Sequence, residues 1–184
     1  MRAKREDCVL LIIDVQERLI DTVAKKAELV KNIEALIKVA NVLRVPVLVT
    51  EQEKLGRTVP ELENELPDPP KFHKLAFSCC ERPEFMTKLR ELKRKTVVVC
   101  GIEAHICVMQ TILDMLDHSY RILVPKDATS SHNVIDWETA VERMRDSGAI
   151  ITTTEALIYE LTERAGTEEF KRILEIVKER RSEK

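Results

Sequence analysis

A cysteine, an aspartate and a lysine stand where this chain can most easily do chemistry. Cys107 lies six residues past Gly101, at the expected start of a helix that follows the apolar run 96–100. The first turn of a helix leaves backbone N–H groups unpaired and favours an anion. A thiol placed there is expected to have a lowered pKa and to be a better nucleophile. The apolar stripe of that helix uses Met109, Ile112, Leu113 and Leu116, whereas Cys107 falls with Gln110, Thr111, Asp114 and His118. A core cysteine more often falls on the stripe. The competing reading is an inert buried thiol, because free cysteine is among the most buried residue types.

Asp14 ends the apolar run CVLLII. A carboxylate at the edge of an apolar sheet can act as a base. Asp14 and Glu17 also fit a D-x-x-E helix cap, which needs no catalysis. Lys74, in KFHKLAF, could hold a carboxylate and stabilise developing negative charge. Taken alone it reads as a solvated surface lysine, one of many. His73, His105, His118 and His132 form no H-E-x-x-H pattern. On a helix, residues two apart do not face each other, so His105 is not expected to pair with Cys107. Structural or surface roles are expected for all four. Cys79 and Cys80 are adjacent, a poor arrangement for a relaxed disulfide or a shared metal, and they read as packing residues.

The elements that must position these groups alternate along the chain. CVLLII (8–13) is a continuous apolar strand of the kind buried on both faces. Val23, Ala27, Val30, Ile33, Ile37, Ala40 and Leu43 give one helical face, ending before Pro46. Strands are expected at 47–50, 71–74, 96–100, 121–124 and 149–152, and helices at 84–92, 137–147, 156–163 and 168–181. Residues 51–72 break the rhythm and hold Pro60, Pro67, Pro69 and Pro70 with many carboxylates. A loop of this length is usually functional. Six strands alternating with helices imply a parallel sheet with right-handed crossovers. Reactive groups in such sheets gather at the carboxyl ends of the strands. Asp14, Thr50 with Glu51, Lys74, the turn after Gly101, and Asp127 with Thr129 all stand at such ends.

Composition excludes several classes. The chain has 184 residues, 30 Lys and Arg against 32 Asp and Glu, and a formal charge of −2. The basic excess of a nucleic-acid-binding surface is absent. With 44% hydrophobic residues, one domain spanning 1–184 is expected. The four glycines fit neither a dinucleotide fingerprint, a Walker A loop nor a nucleophile elbow. The charged start MRAKREDC shows no apolar signal region, and no run approaches the length of a membrane span. Five cysteines without a C-x-x-C pair read as free thiols in a reducing cytoplasm.

Together, CVLLII-Asp14 with DVQ, FHKLAFS with Lys74, and VVVCGIEAHICVMQT with Cys107 resemble the isochorismatase-like cysteine hydrolases. The resemblance runs from about Cys8 through DATSS (127–131) to AIITT. GIEAHICV, with VTEQ earlier, is similar to the isochorismatase domain-containing branch. It implies an α/β fold of three layers (α/β/α) with a six-stranded parallel sheet in the order 3-2-1-4-5-6. It implies Cys107 as nucleophile, Asp14 as the base that takes its proton, and Lys74 as the cation completing the triad. It also implies a cis peptide between Ile102 and Glu103, with the N–H groups of Glu103 and Cys107 forming an oxyanion hole. Gln16, Leu19, Glu51 and Phe77 are implied to line the substrate pocket.

True isochorismatases carry glycine in place of Cys107, so the thiol points to hydrolysis of a C–N bond in a small amide, ureide or carbamoyl compound through a thioester. Nicotinamidases of similar sequence carry an Asp-x-His metal site after the second strand. Here that segment reads Thr50-Glu51-Gln52-Glu53, so neither metal nor cofactor is expected. The resemblance further implies a homo-oligomer acting on a small molecule, with no nucleic-acid or membrane partner. The alternative is an idle binding or scaffold protein that kept the fold. A thiol redox sensor using Cys100 and Cys107 is a third reading.

Overall fold

The computed structural model describes residues 2–66 and 68–182; Pro67 lies outside them. The first strand, β1 (Cys8–Ile13), is buried along its whole length. Its side chains alternate between two cores. Cys8, Leu10 and Ile12 enter one, and Val9, Leu11 and Ile13 the other. That is the two-residue period of a strand covered on both faces.

The other strands are β2 (Val47–Gln52), β3 (Lys71–Lys74), β4 (Thr96–Gly101), β5 (Arg121–Pro125) and β6 (Ile150–Thr152). They form one sheet in the order β3-β2-β1-β4-β5-β6, with every neighbouring pair parallel. Parallel neighbours need crossover connections, and helices supply them. Helices α1 (Lys26–Leu43), α6 (Thr154–Thr162) and α7 (Glu168–Arg181) bury Ile33, Ile37, Leu157, Ile158, Ile173 and Val177 on one face. Helices α3 (Pro83–Glu91), α4 (Met109–Asp117) and α5 (Val134–Asp146) bury Phe85, Leu89, Ile112, Met115, Val141 and Met144 on the other. The three layers and the strand order are those implied by the family resemblance, and the parallel sheet is the one expected from the alternating strands and helices. Among the described residues, no helix is long and apolar enough to cross a membrane.

Three local expectations change. The helix expected from Val23 begins at Lys26, because Ile20–Thr22 forms a separate 3-10 turn and the Ala24 N–H is drawn to Ser131 O at 2.9 Å. The stretch 51–72 is more ordered than its composition suggests. β2 runs on through Gln52, Thr58 pairs with Gln16 in an isolated bridge, and a short helix, α2, covers Pro60–Glu63. Asp14 caps no helix. Its backbone is left-handed (φ 53°), and the next helical turn starts only at Ile20.

Gly101 decides how closely β4 approaches β1. Its φ is +124°, and a Cβ there would stand 2.1 Å from Ile13 O. The next amide, Ile102 N–H, donates to that same carbonyl at 2.9 Å. Only glycine meets both demands. Gly101→Ala is expected to cost about 3 kcal/mol or more through backbone displacement. In a chain of this size that lowers the melting temperature by roughly 6–12 °C, measured by thermal circular dichroism.

Candidate active site

In this strand order β1 and β4 lie side by side where the sheet's winding reverses, the place where open parallel sheets bind ligands. Four adjacent strands deliver their carboxyl ends to one edge. β1 delivers Asp14, β2 Thr50 and Gln52, β3 Lys74, and β4 the segment leading to Cys107. The register aligns Ile13 with both Thr50 and Gly101, and Gln52 with Lys74.

The side chains meet there. Lys74 Nζ lies 2.7 Å from Asp14 Oδ2, and both side chains are buried. The ammonium also donates to Gln52 Oε1 at 2.8 Å and to the carbonyls of Phe77 and Ala76 at 3.0 and 3.3 Å. Asp14 Oδ1 accepts from Thr50 Oγ1 at 2.8 Å. The same carboxylate acts on the Cys107 thiol, by its charge and by hydrogen bonding, and keeps the proton on sulfur. Asp14 therefore interacts with both other members of the expected trio.

Cys107 sits in a π-helical turn, Ala104–Val108, that continues into α4. The peptide bond preceding that turn, Ile102–Glu103, is cis. The carbonyl of Glu103 accepts from Ile106 and Val108 at 3.1 and 3.3 Å, and Ala104 N–H donates to Ser130 O at 2.7 Å.

The thiol's titration runs against the expectation of a lowered pKa. Burial, followed by the negative charge of Asp14, pushes Cys107 up to about 12, and Lys74 offsets this only in part. Helix-terminal N–H groups favour a thiolate only where nothing more negative is closer, and here a carboxylate is. Burial alone would lower the Lys74 pKa. The charge of Asp14 and the nearby thiols outweigh it, so the ammonium is held in its charged form. The resting trio is an ion pair beside a neutral thiol.

The four residues expected to line a pocket divide. Gln16 is fully buried and its amide is spent on the loop after β2. Nε2 donates to Gln52 O at 3.0 Å and to Gly56 O at 2.7 Å, while Oε1 accepts from Gln52 N–H at 2.8 Å. Glu51 is buried, and its Oε1 accepts from Thr58 N–H and Oγ1, each at 2.7 Å. Leu19 is half-buried and Phe77 is 52% exposed. Two surface grooves, of about 630 and 1160 Å³, lie elsewhere, beside the amino end of β2 and between α1 and α7. Cys107 itself is only 6% exposed.

Sequence reasoning missed three contributors. Gln52 holds the lysine, and its place at a strand end in VTEQ was the available signal. Thr111 donates from Oγ1 to Cys107 O at 2.6 Å and accepts from Cys79 N–H at 3.0 Å. Its i,i+4 spacing from Cys107 was the signal. Cys79, read as packing alone, also places its Sγ 3.8 Å from Thr50 Oγ1. His105 pairs with Ser131 Oγ at 2.9 Å, and His73 lies 3.6 Å from Glu51. Among the described residues, no group of three or more His, Cys, Asp or Glu side chains is placed to hold a metal ion.

Comparison with known proteins gives the same reading of the fold. The isochorismatase domain model matches residues 8–156. The "Secreted isochorismatase effector Isc1" of Phytophthora sojae is 40% identical over 178 residues, covering 93% of this chain and 84% of its own. Human "Isochorismatase domain-containing protein 2" is 38% identical over 174 residues, covering 93% and 83%. The structure of "MAR1 Ribonuclease from Caenorhabditis elegans" superposes with a TM-score of 0.91 at 34% identity, covering 96% of this chain and 92% of that one.

Alkylation by iodoacetamide, read peptide by peptide, tests the electrostatics of the site. Cys107 labelling is expected to rise about tenfold per pH unit from pH 7 to 9 without a plateau, because its titration lies near 12 rather than 9.0. Asp14→Asn is expected to move the curve to lower pH and Lys74→Met to higher pH. A plateau near neutrality in the unaltered protein would overturn this account.

Proposed function

The chain belongs to the isochorismatase family, whose fold is that of a hydrolase, and on that premise we propose that it is a metal-independent cysteine hydrolase of small C–N substrates. Amides, ureides and carbamoyl compounds are the substrate class. One observation carries the reading: a buried carboxylate paired with an ammonium at 2.7 Å and acting on a neighbouring thiol.

A neutral thiol beside a carboxylate suits a proton transfer made during attack rather than before it. Asp14 takes the proton as the Cys107 sulfur bonds to the substrate carbonyl carbon. Lys74 holds the carboxylate in place and keeps its charge balanced before and after the transfer. The N–H groups of Glu103 and Cys107 receive the oxyanion, each such donor contributing about 3 kcal/mol. As the tetrahedral species collapses, the C–N bond breaks and the amine leaves with the proton from Asp14. A water molecule, deprotonated by the same carboxylate, then attacks the thioester carbon. The carboxylic acid departs and sulfur recovers its proton.

Leu19 and Phe77 form the apolar side of the pocket. Gln16 and Glu51 shape it through the loop at 51–58, since their polar atoms are engaged there. The ribonuclease name of the Caenorhabditis relative raises a second substrate, a phosphodiester. A formal charge of −2 and a closed site whose acid–base group is a carboxylate support the carbonyl instead. Five unpaired thiols support a reducing cytoplasm as its location. Leu75 and Phe77, 72% and 52% exposed, flank the site and support a homo-oligomer whose second copy covers them.

An amide library with ammonia detection, run beside an RNA-degradation assay, tests the reaction. Cys107→Ala is expected to lower amide turnover roughly ten-thousandfold, and Asp14→Asn to lower it severely even though its thiol ionises more easily. Intact mass should record an acyl adduct on Cys107 with a slow substrate. Full activity in Cys107→Ala would sink the assignment of the nucleophile. Light scattering should give more than one chain per particle, and Leu75→Asp with Phe77→Asp should reduce it.

A further inference from the structure

We infer that Cys79 is a resolving thiol for Cys107, so that peroxide converts the pair into a disulfide that closes the active site reversibly. The inference rests on the reading of Cys107 as a reactive thiol. It begins from a correction to the pairing suggested by sequence distance. Cys100 belongs to the core on the opposite face of the sheet, where its Sγ donates to Leu11 O at 3.5 Å. Cys8 lies in that same core. The sheet separates both from Cys107. Cys79 and Cys107 share the other core.

Two hydroxyls bind this pair into one cluster. Thr111 Oγ1 accepts from Cys79 N–H at 3.0 Å and donates to Cys107 O at 2.6 Å, so the two backbones meet on one oxygen atom. Thr50 Oγ1 accepts a weak bond from Cys79 Sγ at 3.8 Å and donates to Asp14 Oδ1 at 2.8 Å. The same carboxylate acts on the Cys107 thiol by charge and hydrogen bonding. Asp14 is therefore common to both sulfur atoms, and Thr50 links it to Cys79. The electrostatics agree, since Asp14 pushes both thiols up and Lys74 offsets both. Cys80 is placed differently, with its Sγ 3.9 Å from Thr111 O and Asp114 nearby.

The chemistry balances with hydrogen peroxide as oxidant. Cys107 sulfur attacks one peroxide oxygen and gives its proton to Asp14. The O–O bond breaks, and the departing hydroxide takes that proton to leave as water. Cys107 is now a sulfenic acid. Cys79 sulfur then attacks the Cys107 sulfur, and the hydroxyl leaves with the proton from Cys79 as a second water. Two thiols are oxidised to one disulfide and one peroxide is reduced to two waters. A disulfide formed at an active site in a reducing compartment is a transient, reducible one.

The test uses the whole protein and needs no substrate. The protein is exposed to hydrogen peroxide, its remaining thiols are blocked with iodoacetamide, and its peptides are mapped without reductant. The expected product is an intrachain peptide pair joining Cys79 to Cys107 that dithiothreitol removes. In Cys79→Ser the pair is missing, Cys107 proceeds to sulfinic acid, and dithiothreitol recovers about tenfold less free Cys107. A wild-type map without the pair, or with Cys107 joined to Cys80 or to another chain, overturns the inference. Equal recovery in Cys79→Ser does the same. Should that variant fail to fold, the wild-type map alone decides. Amide turnover lost in Cys107→Ala with no 79–107 pair would defeat only this inference. A 79–107 pair in a protein whose Cys107→Ala form still hydrolyses amides would defeat only the assigned reaction.

Discussion

A carboxylate shut away from water is the constraint on which the rest of this structure depends. Removing Asp14 and Lys74 from solvent costs several kcal/mol for each charge, and only close contact with further hydrogen bonds repays it. The protein meets that demand with Lys74 at 2.7 Å, Thr50 at 2.8 Å and, around the ammonium, Gln52 with two backbone carbonyls. Gln16 in turn holds the backbone of Gln52. Shell upon shell of polar groups thus exists to keep one buried ion pair satisfied. Such pairs are a poor source of stability, and breaking one by removing a single partner is strongly destabilising. The arrangement is better understood as positioning two charges beside a thiol.

Parallel strands make that positioning possible. Because β3, β2, β1 and β4 all run the same way, their carboxyl ends lie along one edge, and residues 60 and 93 positions apart meet there. The close approach of β4 to β1 at Gly101 brings the Ile102–Cys107 segment over the end of β1, within reach of Asp14. Loop residues hung on these strand ends would move too freely to maintain a 2.7 Å contact. Strand ends set in two packed cores do not.

Cys107 rests as a neutral thiol. Held at about 12, it is far less ionised at neutral pH than an ordinary cysteine. A second buried thiol, Cys79, is tied to the same carboxylate through Thr50.

By itself the sequence determined the architecture. Unbroken apolar strands such as CVLLII, helical stripes such as that of Val30 to Leu43, and the order in which they alternate are local patterns, and a parallel sheet follows from them. Motif order also singled out Asp14, Lys74 and Cys107 before any distance was known. Only the tertiary structure decided how these groups behave. Asp14, taken singly, read as a helix cap, whereas in the fold Lys74 and Thr50 occupy its two oxygens. Cys107 read as acidified by a helix terminus until burial and the charge of Asp14 proved to push its pKa the other way. Cys100 is the nearer cysteine to Cys107 in sequence, yet the sheet divides that pair, whereas Cys79 shares a core with Cys107 and the Thr111 hydroxyl bonds to the backbone of both. The reason is common to all three. A periodic pattern is a property of neighbouring residues, but a charge, a pKa or a thiol contact depends on whatever the fold brings within a few ångströms from elsewhere in the chain.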